Sequence, residues 1–191
     1  MERKVYEMRS YIERAKDFIE QVYPYINLYN GPLGARRCIR KFNEDFDRKV
    51  HVGSGLSRIA LITSDYVVKF DYNPEEVECI GGCENEIAVY AQAKEAGLAY
   101  LFAEITPYYY KGRTFYIMPR INGIGRGHYY AEKYMTAQER MFCRDHRITD
   151  LHNGNYGFRN GHVCLVDYAC HLSYESDYDE YLESHTGESS W

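Results

Sequence analysis

The chain has 191 residues, of which 45% are apolar and 27% are charged, a composition typical of a globular protein with a buried core. Its formal net charge of -5 argues against a broad electrostatic contact with nucleic acid. No run of about 18 apolar residues occurs, so the sequence predicts no membrane-spanning helix. The charged residues at positions 1–4 are not those of a secretory signal.

Six cysteines are scattered along the chain, at positions 38, 79, 83, 143, 164 and 170. Without a secretory signal they predict reduced thiols and a protein of the cytoplasm. Cys79 and Cys83 form a close pair, but a zinc site requires about four ligands and the sequence supplies no second pair at a suitable spacing. We therefore predict no cysteine-based metal site.

The first 45 residues combine one clear helix with a mixed segment. Apolar residues at spacings of three and four predict a helix over residues 2–22, which Pro24 is expected to end. We expect its apolar stripe to pack on its own domain, and contact with a partner chain is the alternative. Residues 26–45 are mixed, with a turn at Gly31-Pro32 and a basic cluster at 36–41 typical of a solvent-exposed face.

Beyond residue 49, β-prone runs alternate with amphipathic segments. Strands are predicted over residues 50–52, 59–62, 66–70 and 114–118, and helices over residues 84–96 and 136–147. Asn160-Gly161 is a strong two-residue turn and predicts a hairpin over residues 156–166. This order of elements predicts an α+β fold with a mostly antiparallel sheet.

A lysine stands near the end of the strand predicted at residues 66–70. Lys69 lies among side chains that we expect to be buried, and a buried ammonium requires an anionic partner. The alternative is a surface lysine whose stem covers apolar residues. Glu86, on the following helix, is the predicted partner, and Glu84 is the second choice.

Two glycines flank a serine at a predicted strand bend. Without a Cβ, Gly53 and Gly55 allow the backbone amides around Ser54 to approach phosphate oxygens closely. Many hairpins bend at glycine, so an ordinary turn is the alternative.

Three oxygen-bearing side chains lie near the ends of predicted elements. Asp150 and Asn155 lie on a loop that follows a helix, and Asp167 ends an apolar strand. Asn155 and Asp167 are hard oxygen ligands that suit Mg²⁺ held between protein and phosphates. Asp150 is suited to orient an attacking hydroxyl or accept its proton. A turn residue would explain one aspartate, but not three such groups in this order.

Taken together, residues 50–170 resemble the protein-kinase-like superfamily. The loop from Asp150 to Asn155 reads Asp-Leu-His-Asn-Gly-Asn and is similar to that of aminoglycoside and choline kinases and of small bacterial or phage kinase-like proteins. The resemblance implies a bilobal fold with an antiparallel-sheet N-lobe and a strongly reduced helical C-lobe. It also implies a site for ATP and Mg²⁺.

By this resemblance, residues 53–55 would cover the ATP phosphates. Lys69 would contact the α- and β-phosphates and pair with Glu86, while Asn155 and Asp167 would hold Mg²⁺. These roles are expectations that follow from the family pattern.

The same pattern implies a hinge and a position for the acceptor. Met118, Arg120 and Ile121 would lie at the hinge whose backbone meets adenine, and Pro119 has no N–H to offer there. Asp150 would position the acceptor hydroxyl. The chain would then divide into a helical extension (1–48) on the N-lobe, the N-lobe (49–118), and a hinge with a minimal C-lobe (119–191).

Departures from the family pattern leave two functions open. Ser57-Arg58 replaces the third glycine of the loop, Asp167-Tyr168-Ala169 lacks the family glycine, and only 24 residues follow Asp167. The first function is an active phosphotransferase acting on a protein Ser, Thr or Tyr, in the cytoplasm of a host if a phage encodes it. The alternative is a nucleotide-binding module that binds or inhibits a partner protein.

Overall fold

The computed structural model describes residues 2–26, 32–55, 57–72, 82–123 and 129–169, with side chains from residue 11 onward. Over these ranges the protein is mixed α+β, as predicted, with four α-helices, a five-stranded antiparallel sheet and a separate two-stranded hairpin. None of the helices within these ranges is long and apolar enough to cross a membrane.

The α-helices are α1 (Glu2–Ile26), α2 (Pro32–Phe46), α3 (Cys83–Glu95) and α4 (Ala137–Asp145). The strands of the sheet are β1 (His51–Ser54), β2 (Arg58–Ile62), β3 (Tyr66–Asp71), β4 (Thr106–Tyr110) and β5 (Arg113–Pro119). The hairpin consists of β6 (Tyr156–Arg159) and β7 (His162–Leu165). Two short 3-10 helices span Ala99–Leu101 and Ala131–Tyr134.

The sheet has the strand order β1-β2-β3-β5-β4, and each neighbouring pair is antiparallel. Strand β4 is not among the strands predicted from the sequence. Its residues include Pro107, which cannot donate a ladder hydrogen bond. The strand forms at the edge of the sheet, where a missing N–H is tolerated.

Helix α1 does not end at Pro24, contrary to the prediction. It continues through Pro24 to Ile26, whose side chain is buried. The ring of Tyr25 packs on Phe42 with centroids 5.3 Å apart, and its hydroxyl donates to Asp45. These contacts with α2 stabilise the last turn and offset the helical hydrogen bond that proline removes.

The segment that the sequence left mixed is helix α2. Pro32 occupies its first residue, where a missing N–H costs nothing, whereas Gly31 of the predicted turn lies outside the described residues. Ile39 and Phe42 are buried. The basic side chains of residues 36–41 are exposed, as predicted.

Two apolar cores lie on opposite faces of the sheet. One face packs against the helices α1 and α2, through residues such as Phe18, Ile19, Leu61 and Phe115. The apolar stripe of α1 therefore packs within its own chain, as predicted. Side chains on the other face of the sheet alternate with these, and Tyr116 and Met118 among them pack into the second core.

The second core joins α3, α4 and the β6–β7 hairpin. Asn160 and Gly161 both have positive φ, as a tight hairpin turn requires, and the predicted hairpin is confirmed. Gly157 on β6 lies against the chain at Asn122; a Cβ at this position would lie 2.4 Å from the Asn122 carbonyl oxygen. This close approach places the segments before β6 and after β7 beneath the sheet, where the two meet at a cleft.

Candidate functional site

A cleft with a volume of about 900 Å³ lies between the sheet and the loops that flank the hairpin. Ten of the eleven residues predicted for the site line it: Gly53, Ser54, Gly55, Lys69, Met118, Arg120, Ile121, Asp150, Asn155 and Asp167. The eleventh, Glu86, lies behind Lys69 and is fully buried. The fold thus brings all the predicted residues to one place.

Lys69 is a buried cation with an anionic partner. Its Nζ lies 2.8 Å and 3.1 Å from the two carboxylate oxygens of Glu86, and it donates to the Val166 carbonyl at 2.6 Å. The side chain is 9% exposed, so the surface alternative is wrong. Glu84, the second choice of partner, instead accepts a hydrogen bond from the Tyr116 hydroxyl at 2.7 Å.

Glu86 is the point at which three parts of the chain meet. Besides Lys69 on β3, it accepts from Arg58 at the start of β2 at 3.4 Å and from the backbone N–H of Tyr168 at 3.1 Å. The hydroxyl of Tyr168 donates to the Ala103 carbonyl at 2.6 Å, which holds the segment after β7 in place. A carboxylate without solvent contact requires several donors, and these supply them.

Two cations and two anions form a closely coupled cluster. Burial opposes the charge of Lys69, but Glu86 and Asp167 outweigh it and raise the pKa of Lys69 above its ordinary value. Burial alone would raise the pKa of Asp167, yet Lys69 and Arg58 hold that pKa below its usual range. Burial raises the pKa of Glu86, while the same two cations favour its ionised form. Lys69 and Asp167 therefore carry opposite charges at neutral pH.

Arg58 is a residue of this site that the sequence analysis missed. Its Nη2 lies 2.8 Å from Oδ1 of Asp167, and its side chain is 16% exposed. The signal that would have found it is the alternation of β2. Ala60 lies opposite Lys69 in the sheet, so a residue two positions before Ala60 faces the cleft as well.

A buried amide connects the loop after α4 with the strand that leads to Asp167. The side-chain amide of Asn155 donates to the Asp150 carbonyl at 2.9 Å, and its backbone carbonyl accepts from the N–H of Val166 at 2.8 Å. Ile148 and Leu151 are buried and anchor the loop in the core. The Asp150 carboxylate is left 54% exposed at the mouth of the cleft.

His152 is a second residue that the sequence analysis did not single out. Its Nε2 lies 3.5 Å from Oδ1 of Asp150, and its Nδ1 accepts a hydrogen bond from the Gly154 N–H at 2.9 Å. Because Nδ1 is an acceptor, Nε2 carries the proton in the neutral ring. A Cβ at Gly154 would lie 2.7 Å from the ring, so glycine allows this arrangement.

The glycines at the end of β1 are required neither by backbone conformation nor by packing. Gly53 and Gly55 do not have positive φ. A Cβ at Gly55 would meet nothing within 4 Å, and one at Gly53 would make ordinary contacts with Ala60 and Ile62. Ala60 and Ile62 line the cleft, so the two glycines keep its rim free of side chains.

At the end of β5, which lies at the back of the cleft, one backbone N–H is already hydrogen-bonded within the protein. Met118 is buried, and the backbone N–H of Arg120 donates to the Asp65 carbonyl at 3.0 Å. The guanidinium of Arg120 also donates to the Thr63 carbonyl at 2.5 Å. Arg120 thus secures the turn between β2 and β3.

The donor set suits a hard divalent cation that takes most of its ligands from elsewhere. The described part of the chain has no cluster of three or more His, Cys, Asp or Glu that could hold a metal. Cys79 lies outside the described residues, and burial raises the pKa of the Cys83 thiol. Asn155 and Asp167, however, offer an amide and a carboxylate to the same cleft, and Mg²⁺ is bound in this way when phosphates complete its shell.

No protein-family model matches the chain, and no match to it was found among curated proteins. The case for a function therefore depends on the residues and geometry of the cleft.

Proposed function

We propose that the chain is an ATP- and Mg²⁺-dependent phosphotransferase with a reduced protein-kinase-like fold. The observation that carries the proposal is the buried Lys69–Glu86 pair, which lies at the same cleft as Asp150, Asn155 and Asp167. Phosphoryl transfer depends mainly on positioning the reacting groups and on neutralising charge, and these side chains are suited to both tasks. Under this proposal, the sheet with α3 is the N-lobe (49–118), and residues from 119 onward form the hinge and a minimal C-lobe.

The base of the nucleotide would occupy the apolar part of the cleft. Ala60, Ile62, Val67 and Met118 line this part and offer flat apolar contact to a purine. Pro119 has no N–H, and that of Arg120 is engaged by Asp65. The backbone donor that we expect for adenine is therefore the N–H of Ile121.

The phosphates would lie at the charged end. Lys69 would contact the α- and β-phosphates, and the amides of residues 53–55 would cover them from above. Asn155 and Asp167 would hold Mg²⁺ with oxygen ligands. When bound, Mg²⁺ would neutralise the negative charge on the phosphate oxygens as the transferred group leaves.

Asp150 would act on the acceptor hydroxyl. The hydroxyl oxygen forms a bond to the γ-phosphorus, the bond from that phosphorus to the oxygen of the β-phosphate breaks, and ADP leaves with the electron pair. Asp150 orients the hydroxyl and takes its proton. Its carboxylate is exposed at the mouth of the cleft, which suits the side chain of a protein Ser, Thr or Tyr as acceptor.

The decisive experiment measures nucleotide binding and transfer separately. Thermal melting with millimolar Mg-ATP should raise the midpoint of wild type, because a ligand that binds only the folded form stabilises it. Labelled γ-phosphate should pass to protein acceptors, and Asp150→Ala and Asp167→Ala should abolish this transfer. The absence of any shift in the midpoint at millimolar nucleotide would overturn the proposal.

One observation favours a second candidate, a nucleotide-binding module that binds or inhibits a partner protein. Arg58 pairs with Asp167, the carboxylate expected to hold the metal. A site kept in this state would bind nucleotide without transferring phosphate. Mg-ATP would then raise the melting midpoint, while no label would reach any protein of a host extract.

A further inference from the structure

We propose that Arg58 competes with a divalent cation for Asp167, so that the site alternates between an arginine-paired and a metal-bound state. The inference rests on the proposed function, because it takes Asp167 as a ligand of the metal. It concerns a residue at which the sequence departs from the kinase-like pattern, and it gives that residue a role of its own.

The position of Arg58 is fixed by the sheet. Its backbone carbonyl accepts from the N–H of Gly55 at 3.0 Å, and in the antiparallel pairing it stands opposite Asp71. The guanidinium extends to Asp167 at 2.8 Å and to Glu86 at 3.4 Å, and the side chain has little contact with solvent. The Asp167 side chain is 35% exposed, so solvent reaches the carboxylate from the cleft while the guanidinium covers one of its oxygens.

The two carboxylates do not depend on Arg58 to the same degree. Glu86 retains Lys69 and the N–H of Tyr168 as donors when Arg58 is removed. For Asp167 the ion pair with Arg58 is a direct one, and it occupies an oxygen that a metal would need. Displacing Arg58 therefore changes Asp167 more than it changes Glu86.

A cation that binds Asp167 through Oδ1 has to replace the guanidinium, and one that binds through the other oxygen comes close to its positive charge. Removing the positive charge of Arg58 leaves the carboxylate open to a metal and takes away a competitor, so metal affinity should rise. If Arg58 instead positioned Asp167 for the metal, its removal would lower metal affinity. The two roles thus predict opposite results.

The test is direct binding of Mn²⁺ to the full-length chain without nucleotide. The electron paramagnetic resonance signal of the free ion measures how much Mn²⁺ remains unbound. Arg58→Met should bind Mn²⁺ about tenfold or more tightly than wild type, a factor that corresponds to about 1.4 kcal/mol. Arg58→Lys keeps the charge and should remain closer to wild type. Asp167→Asn should abolish Mn²⁺ binding, both in the wild-type chain and together with Arg58→Met.

Unchanged or weaker Mn²⁺ binding by Arg58→Met would overturn the inference. Circular dichroism reports whether Arg58→Met folds. If Arg58→Met does not fold, Arg58→Gln takes its place, because glutamine retains a hydrogen-bond donor for Glu86. The same increase in Mn²⁺ affinity is expected of Arg58→Gln, and its absence would overturn the inference equally.

Thermal melting with Mg-ATP on the same samples separates the two proposals. Tighter Mn²⁺ binding by Arg58→Met without any shift by nucleotide would contradict the phosphotransferase and support the competition. A shift of the melting midpoint by Mg-ATP, with the Mn²⁺ affinity of Arg58→Met unchanged, would support the phosphotransferase and contradict the competition.

Discussion

Lys69 on β3 and Glu86 on α3 form an ion pair almost without solvent contact, with Nζ 2.8 Å from Oε1. Glu86 also accepts a hydrogen bond from the backbone N–H of Tyr168. The pair therefore joins the sheet, the helix behind it and the segment that carries Asp167. Because the charges are buried, the cost of removing one partner exceeds the net value of the pair.

Replacing Lys69 with methionine should lower the free energy of unfolding by about 3–5 kcal/mol, because Glu86 keeps a buried charge without its closest partner. Urea denaturation measures this loss. The exposed Lys41→Met on α2 is the control and should change stability by less than about 0.5 kcal/mol. In the double variant Lys69→Met/Glu86→Leu much of the loss should be recovered, and strict additivity of the two changes would contradict the buried-pair argument.

Replacing Asp150 with asparagine should reduce phosphate transfer by at least about 100-fold while leaving the melting shift with Mg-ATP unchanged. The carboxylate is more than half exposed, so its loss should not affect folding. Single-turnover transfer of labelled phosphate provides the measurement. The exposed Asp145→Asn at the end of α4 controls for the loss of one negative charge, and an equal fall in that variant would count against a role for Asp150.

Replacing Gly55 with alanine should leave the free energy of unfolding unchanged or raise it by about 0.4–1 kcal/mol, since the backbone and the surrounding space accept a side chain. The larger Gly55→Val should weaken ATP binding, because the side chain would stand at the rim of the cleft. Gly112, in the β4–β5 turn, has a φ of +84°, so Gly112→Ala should destabilise the protein without altering ATP affinity. Undiminished ATP affinity in Gly55→Val would show that the rim does not contact the nucleotide.

The pairing of Arg14 with Asp65 should make a small, pH-dependent contribution to stability. Partial burial alone would raise the pKa of Asp65, but hydrogen bonds from Arg14 and Ser64 outweigh it and lower that pKa. The stabilisation is present above the unfolded value of about 3.9 and is lost as the pH falls through the lower folded value.

Asp65→Asn should therefore cost less than about 1 kcal/mol at pH 7, as expected of a half-exposed pair, and nothing at pH values below the folded pKa. Thermal unfolding of wild type and variant between pH 2 and pH 7, a range set around that value, tests this. Asp17→Asn, on the same helix as Arg14, is the control. A cost that grows as the pH falls would contradict the sign of the shift.

Helix α1 should contribute strongly to folding through Phe18. This side chain is 3% exposed and packs on Phe42 and Tyr66, with ring centroids 5.6 Å and 5.9 Å away. Phe18→Ala should cost about 3–5 kcal/mol in urea denaturation. Leu33→Ala, at a side chain that is 80% exposed, should cost little. A small loss for Phe18→Ala would mean that the sheet does not depend on the helices that cover it.

Local signals predicted most elements well. The 3.6-residue spacing of apolar residues identified α1, and Asn160-Gly161 identified the hairpin turn, since both depend only on neighbours in the chain. The same rules failed where contacts between elements decided the outcome. Proline within α1 is tolerated because Tyr25 packs on α2, and β4 pairs at an edge despite Pro107.

The sequence by itself determined the α+β class and singled out Lys69, Asp150, Asn155 and Asp167, because the periodicity of the strands and the chemistry of these side chains are local properties. The sequence predicted one charged pair, Lys69 with Glu86, but only the tertiary structure decided which charges meet in the rest of the site. The structure confirmed Glu86 over Glu84 as the partner of Lys69 and brought Arg58 against Asp167, since such pairs depend on how distant segments pack and on how little water reaches them.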